Sequence, residues 1–109
     1  MDQQEMQEIK VTIEEAKEAI KNKDIALQLV NSKPFKQIVG ELYLEQESIR
    51  LVGLLAEENL TEKQLEGVQM QMQGIAHFQR FMRHTIELGL QMELDMEDAQ
   101  EELDRPEVN

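Results

Sequence analysis

Two histidines, His77 and His84, are the side chains best suited to bind a metal or to transfer protons. They are seven residues apart on a predicted helix, which places them two turns apart on roughly one face. Zinc-binding helices instead place two histidines four residues apart and add a further ligand. The chain has no cysteine, so thiolate metal sites and disulfides are excluded. We therefore expect two partly exposed histidines, with no metal and no other cofactor.

Three glutamates, Glu41, Glu45 and Glu47, are the densest carboxylates of the central region. Catalysis by paired acids requires two carboxyl groups held across a pocket with separated pKa values. Glu41 and Glu45 are instead one helical turn apart, where solvation is the usual fate of a charge. The glycines are scattered singly and form no phosphate-binding loop, and no Ser–His–Asp or Cys–His arrangement is present. We expect that the protein is not an enzyme.

A small basic cluster, Arg80, Arg83 and His84, lies beside Phe78 and Phe81, as in some nucleic-acid contacts. The net charge of −12 argues against direct binding of nucleic acid or of anionic membranes, because both require a basic surface. We expect the arginines to pair with the three glutamates, or else with an acidic surface on another protein. No apolar run approaches the ~18 residues of a membrane span, and the first residues lack the basic and apolar regions of a secretory signal.

Acidic residues are concentrated at the end of the sequence, where residues 93–109 hold 8 of the 23 acids and a single base. Such a run is usually a solvated face. Alternatively, it imitates a row of DNA phosphates, although mimicry generally needs a rigid surface and this end is expected to fray. The residues of this acidic end are Glu93, Asp95, Glu97, Asp98, Glu101 and Glu102.

Five Gly and two Pro in 109 residues leave few places to turn, so the sequence predicts long helices. The first spans about 3–31, with an interruption at Lys21–Asp24 left open. Its seam has the three-and-four spacing of a coiled coil: Met6, Ile9, Ile13, Ala16, Ile20, Lys23, Leu27 and Val30. Ser32 is the predicted N-cap of a second helix over 33–57, with Pro34 in its first turn.

The second helix is predicted to be central and to bury one main apolar stripe. That stripe consists of Phe35, Ile38, Leu42, Ile49, Val52 and Ala56, widened by Val39, Leu44, Leu51, Leu54 and Leu55. Thr61 and Gln64 form a capping-box pattern that begins a third helix over 61–100. The predicted fold is all-α, a three-helix antiparallel bundle or extended coiled coil, with one domain over 1–103 and a disordered acidic tail over 104–109.

More apolar surface is predicted than three helices can hide, which favours a homo-oligomer or an obligate complex. The candidate contact residues lie off the main stripes or near a helix end: Leu44, Leu51, Met70, Phe81 and Met96. Single glycines within the third helix weaken it, so close packing against a neighbouring backbone is a plausible compensation at Gly67, Gly74 and Gly89.

Residues 27–90 resemble a group of short helical proteins of tailed bacteriophages. The resemblance is carried by Phe35, Ile38, Tyr43, Glu47, Ile49-Arg50-Leu51-Val52, Leu54-Leu55-Ala56, Ile75 and Phe78. The chain departs from the group after the second helix, where Glu57-Glu58-Asn59-Leu60 replaces a proline-containing turn. The resemblance implies a gene among those for virion morphogenesis, and it brings no catalytic or metal-binding positions.

Two functions remain open at this point. The first is a non-catalytic phage assembly or structural accessory factor that docks on capsid, portal or scaffold proteins in the host cytoplasm, whether or not it stays in the virion. The second is an acidic host-takeover inhibitor that blocks a nucleic-acid-binding or defence protein.

Overall fold

The computed structural model describes residues 1–106 and contains three helical stretches. The first is α1 (Gln3–Val30) and the last is α4 (Glu62–Asp104). Between them, α2 (Lys33–Phe35), a π-helical segment (Lys36–Glu47) and α3 (Ser48–Leu55) follow one another without a break and together form what we call the middle helix. No strand occurs between residues 1 and 106, which confirms the all-α, three-helix prediction.

Both predicted caps between the helices are present. The N–H of Phe35 donates to Ser32 Oγ at 3.4 Å, and Pro34 occupies the first turn, where a missing N–H does no harm. At the start of α4, the Thr61 N–H donates to Gln64 Oε1 at 2.9 Å. The Gln64 N–H donates in return to Thr61 Oγ1 at 3.1 Å, which completes the capping box.

The interruption left open at Lys21–Asp24 does not occur, because the first helix is continuous there. The last helix reaches Asp104 rather than ending near 100, because Ala99 and Leu103 are half-buried and extend its packed side. Of the predicted disordered tail, Asp104 is helical, residues 105–106 are not helical, and residues 107–109 lie outside the described residues.

Contacts within the chain divide it into two compact units. One unit combines residues 1–27 with the chain from His84 onwards, and the other consists of Gln28–Arg83. We call them the terminal unit and the central unit. Each unit pairs a stretch of α4 with an antiparallel helical partner, namely α1 in the terminal unit and the middle helix in the central unit.

The terminal unit is held together by the predicted seam of α1. Ile13, Ala16 and Ala26 are buried, and Ile9, Ile20 and Leu27 are half-buried, whereas Met6 at the beginning is exposed. Small residues at positions 16 and 26 allow the opposing helix to approach closely.

Lys23 is the one polar member of this seam, and it is only 5% exposed. Its methylene chain lies across Gly89, and its ammonium group reaches Asp24 Oδ1 at 3.1 Å and the carboxylate of Glu93. A β-carbon at position 89 would overlap the Lys23 Cβ and lie 2.9 Å from the Ala19 carbonyl oxygen. Gly89 is therefore what allows the buried stem and the ion pairs to coexist.

The core of the central unit consists of Leu51, Val68 and Ile75, with Leu51 completely buried. Leu44, Leu54 and Met72 pack around these three and are partly exposed. The inward residues of the middle helix are thus Leu44, Leu51 and Leu54, which the sequence had placed at the margin of the main stripe.

The predicted main stripe is wrong, because its central members face outwards. A π-helix joins each N–H to the carbonyl five residues earlier, so residues that share a face are four to five apart rather than three to four. The more enclosed positions are mostly four to five residues apart: Phe35, Val39, Gly40, Leu44, Glu47 and Ser48. Leu42 and Ile49, predicted to be buried, are 48% and 66% exposed.

We therefore expect Leu51→Ala to lower the free energy of unfolding by ~2–5 kcal/mol, because it empties a fully buried site. Ile49→Ala, two residues away, should change it by no more than ~0.5 kcal/mol. Urea denaturation at a dilution that keeps the chain monomeric measures both. Equal losses in the two variants would contradict the observed inward side of the middle helix.

Replacing two glycines of α4 by alanine should change the free energy of unfolding in opposite directions. Gly89→Ala should cost ~1–3 kcal/mol by overpacking against Lys23. Gly67→Ala, which has nothing within 4 Å of its added carbon, should gain up to ~1 kcal/mol from helix propensity. Thermal melts of the two variants provide the comparison, and a stabilising Gly89→Ala would disprove the close crossing.

Candidate functional site

The middle helix of the central unit carries four aliphatic side chains that are exposed rather than packed in its core. Ile38, Leu42, Ile49 and Val52 are 56%, 48%, 66% and 56% exposed, respectively. We call these four the apolar face. Single exposed aliphatics are normal on a protein surface, whereas larger exposed apolar patches are typical of contact sites.

An aromatic cluster fixes the π-helical segment against α4. The Phe78 ring stacks on Phe35, with centroids 6.4 Å apart, and meets Tyr43 edge to face at 6.1 Å. These spacings are within the favourable range for aromatic pairs. Phe35 and Tyr43 thus meet α4, whereas Ile38 and Leu42 between them are exposed.

A polar contact fixes the other end of the apolar face. Arg50 Nε donates to Glu47 Oε2 at 3.0 Å, and its Nη2 donates to Gln71 on α4 at 3.4 Å. The hydrogen bond from Arg50 holds the pKa of Glu47 below its usual value, and the same contact raises the pKa of Arg50. Both groups are solvated, so the pair orients side chains more than it stabilises the fold.

The structure separates the five predicted contact residues into three groups. Leu51 and Leu44 belong to the core of the central unit, which corrects their predicted place on an outer surface. Met70 and Phe81 are 70% and 66% exposed and are eleven residues, or three turns, apart on α4. Met96 is half-buried and lines a groove beside Ile13 in the terminal unit.

The basic residues near the middle of α4 do not make the predicted ion pairs. Glu47 pairs with Arg50, its neighbour one turn along the same helix. No ion pair among residues 1–106 joins Arg80 or Arg83 to the three glutamates, and both arginines are exposed. His77 and His84 are also exposed.

The acidic end is partly tied to the fold. Glu93 pairs with Lys23, and Asp95 Oδ1 accepts a hydrogen bond from Gln91 Nε2 at 3.0 Å. The remaining four carboxylates lie exposed on a regular helix, in two rows with a spacing of four residues: Glu97 with Glu101, and Asp98 with Glu102. The helix gives these four a fixed spacing that a frayed end would lack.

The described residues carry no cluster suited to binding a metal ion. Within residues 1–106, no three His, Asp or Glu side chains come together in a way that could hold a metal ion. No helix in this range combines the length and apolar composition needed to cross a bilayer. What the arrangement offers chemically is an apolar contact surface.

Comparison with protein-family models, with curated proteins and with solved structures finds no match to the chain.

Two features were not fully predicted. A close approach was expected at Gly89 as well as at Gly67 and Gly74, but the side chain of Lys23 was not identified as what lies against Gly89. The crossing of Lys23 over Gly89 had a visible signal, because a lone lysine interrupts an otherwise apolar heptad and glycine is costly within a helix. No signal in the sequence indicated that the apolar face is exposed. Its residues follow the spacing of a buried α-helical stripe: Ile38, Leu42, Ile49 and Val52.

Proposed function

We propose that this protein is a non-catalytic interaction protein that binds other proteins through the apolar face. The observation that carries the proposal is the exposure of Ile38, Leu42, Ile49 and Val52 next to a fully buried Leu51. Burying such aliphatics in an interface stabilises a complex through the hydrophobic effect. The lack of a built chemical site among the described residues leaves binding as the function with positive support.

We further propose that the partners are bacteriophage head components, namely capsid, portal or scaffold proteins, and that the protein is an assembly accessory factor. The support is the resemblance of residues 27–90 to short helical tailed-phage proteins, which includes three residues of the apolar face. Action in the host cytoplasm, with or without retention in the virion, is part of the same proposal.

The test is binding of the purified chain to the capsid, portal and scaffold proteins encoded in the same genome. Wild type should bind at least one of them, and Ile49→Glu should weaken that binding by at least about tenfold, because it places a charge in the contact. Val11→Glu, at an exposed aliphatic of the terminal unit, is the matched control and should bind normally. Circular dichroism verifies that both variants keep their helices.

No binding to any head protein would reject the phage assignment. Binding that is unaffected by Ile49→Glu would show that another surface makes the contact. The exposed pair Met70 and Phe81 on α4 would then be the next surface to substitute.

A second function, imitation of nucleic acid by the acidic end, is favoured by one observation. Glu97, Asp98, Glu101 and Glu102 are displayed at regular spacing on a helix that continues to Asp104. Fixed spacing of carboxylates is what imitation of phosphates requires.

Substituting Gln or Asn for these four acidic residues removes their charge and keeps the helix, so the variant distinguishes the two functions. If the apolar face carries binding, the variant with all four changed to Gln or Asn should bind its partner within a few-fold of wild type, with little change in salt dependence. If the acidic end imitates DNA, affinity should fall steeply and the remaining binding should lose its salt sensitivity, since salt screens exposed charges over ~10 Å at 0.1 M. Titrations at low and high salt measure both quantities.

A further inference from the structure

We infer that a groove between the two helices of the terminal unit binds a basic amphipathic segment of another protein. The groove has a volume of about 450 Å³, and residues of both α1 and α4 line it. We call it the terminal groove. The inference goes beyond the proposed function, because the apolar face belongs to the central unit and every residue of the terminal groove belongs to the terminal unit.

The floor of the terminal groove is apolar. Ile13 of α1 is only 8% exposed, and Met96 of α4 is half-buried. An occupant would therefore contact the edge of the seam that holds the two helices together. A methionine side chain is unbranched and adapts to the shape of what it contacts. The floor thus suits large apolar side chains of a partner.

One wall of the terminal groove is acidic. Glu97, Glu101 and Asp104 line it from α4, at spacings of four and three residues that place them on one side of the helix. The row is about 10 Å long at 1.5 Å per residue. All three residues are exposed, and no ion pair between residues 1 and 106 involves them. Asp104 Oδ1 accepts one hydrogen bond, from Gln100 Nε2 at 3.3 Å.

The opposite wall carries one base, Lys17 of α1, and its charge is matched within the same helix. The Lys17 Nζ lies 2.9 Å from Glu14 Oε1. With this pair counted as neutral, the groove keeps the negative charges of its acidic wall. A cationic side chain that enters the groove therefore finds carboxylates in excess.

The distribution of charge between the two units favours a basic partner over a second copy of this chain. The terminal unit holds 16 acids and 5 bases, whereas the central unit holds 7 acids and 6 bases. The terminal unit thus carries a net charge of −11 out of the −12 of the chain. Such a field speeds association with basic partners, and it repels the terminal unit of another copy.

These features together define the occupant. It needs basic residues spaced to meet carboxylates one helical turn apart, and apolar residues beside them to contact Ile13 and Met96. An amphipathic helix with Lys or Arg at intervals of three and four residues meets both requirements. The charges position the partner, and burial of its apolar side chains adds affinity. Nucleic acid lacks the positive charge that the acidic wall requires.

A synthetic peptide tests the inference on the full chain. The probe consists of Leu and Lys arranged as an amphipathic helix of about five turns, and fluorescence anisotropy at about 0.1 M salt measures its affinity. The peptide should bind the wild type. The triple variant Glu97→Gln, Glu101→Gln, Asp104→Asn should bind it at least about tenfold more weakly, because the acidic wall is gone.

A matched variant controls for the loss of overall charge. Glu8→Gln, Glu15→Gln and Glu18→Gln together remove the same number of exposed acids from α1 of the same unit, and none of these residues lines the groove. This variant should bind the peptide within about twofold of wild type. Circular dichroism verifies that both triple variants keep their helices. Equal weakening in the two would show a general attraction to acidic surface and would overturn the inference.

A second peptide tests the apolar floor. It has the composition of the first, with Leu and Lys rearranged so that no face of a helix is apolar, and it should bind at least about tenfold more weakly. Met96→Gln keeps the length of the side chain and a good helix former. It should weaken binding of the amphipathic peptide by at least about fivefold and leave the rearranged peptide unaffected. Equal affinity of the wild type for the two peptides would contradict a role for the floor.

The outcomes separate this inference from the proposed function. A wild-type chain that does not bind the amphipathic peptide overturns the inference, while loss of head-protein binding in Ile49→Glu still supports the proposed function. Peptide binding that is lost only in the variant of the acidic wall supports the inference even if no head protein binds.

Discussion

The hydrogen-bond register of residues 36–47 is the constraint on which the central unit depends. With π-helical bonds, the residues that meet α4 are four to five apart, so Leu44 is enclosed while Ile38 and Leu42 remain outside. With α-helical bonds along the whole middle helix, Ile38, Leu42, Ile49 and Val52 would form one straight stripe suited to a core. The same residues thus serve as interior or as surface according to the period of the backbone. Twelve residues of π-helix is long for a form that occurs mostly as single turns, often at functional sites.

The aromatic cluster stabilises this register. Phe35 and Tyr43 are eight residues apart and both contact Phe78, so the two rings lie on the side of the segment that meets α4. In the terminal unit, the register of the two helices is fixed by a close crossing rather than by a change of helical period. Lys23 occupies the space above Gly89 and ends in ion pairs, and a shift of α1 against α4 by one turn would separate the buried lysine from the Glu93 carboxylate. A single polar residue in an apolar seam often specifies the register of helices in this way.

Local rules predicted the elements of the fold well. Ser32 and the Thr61–Gln64 capping box begin their helices as expected, because caps depend only on nearby atoms. The seam of α1 was also recognisable, since its α-helical period holds over its whole length. The candidate site was not, because the residues of the apolar face fit a core stripe as well as a surface. Its outward direction follows from contacts of Phe78 with Phe35 and Tyr43, which are about 35 to 43 residues away in sequence. The extension of α4 to Asp104 likewise depends on packing that no window of composition reveals.

We propose that the apolar face serves for contact and that most acidic residues serve for solubility. Residues 33–56, which include the apolar face, have no net charge, and the net negative charge lies elsewhere in the chain. This separation favours specific binding over nonspecific association. The proposal requires that Leu51 points inwards while Leu42 and Ile49 point outwards, and thiol reactivity measures this directly. In a chain without natural cysteine, Leu42→Cys and Ile49→Cys variants, kept monomeric by dilution, should react rapidly with a thiol reagent, and a Leu51→Cys variant should react only on unfolding. A reactive position 51 with protected positions 42 and 49 would contradict the account.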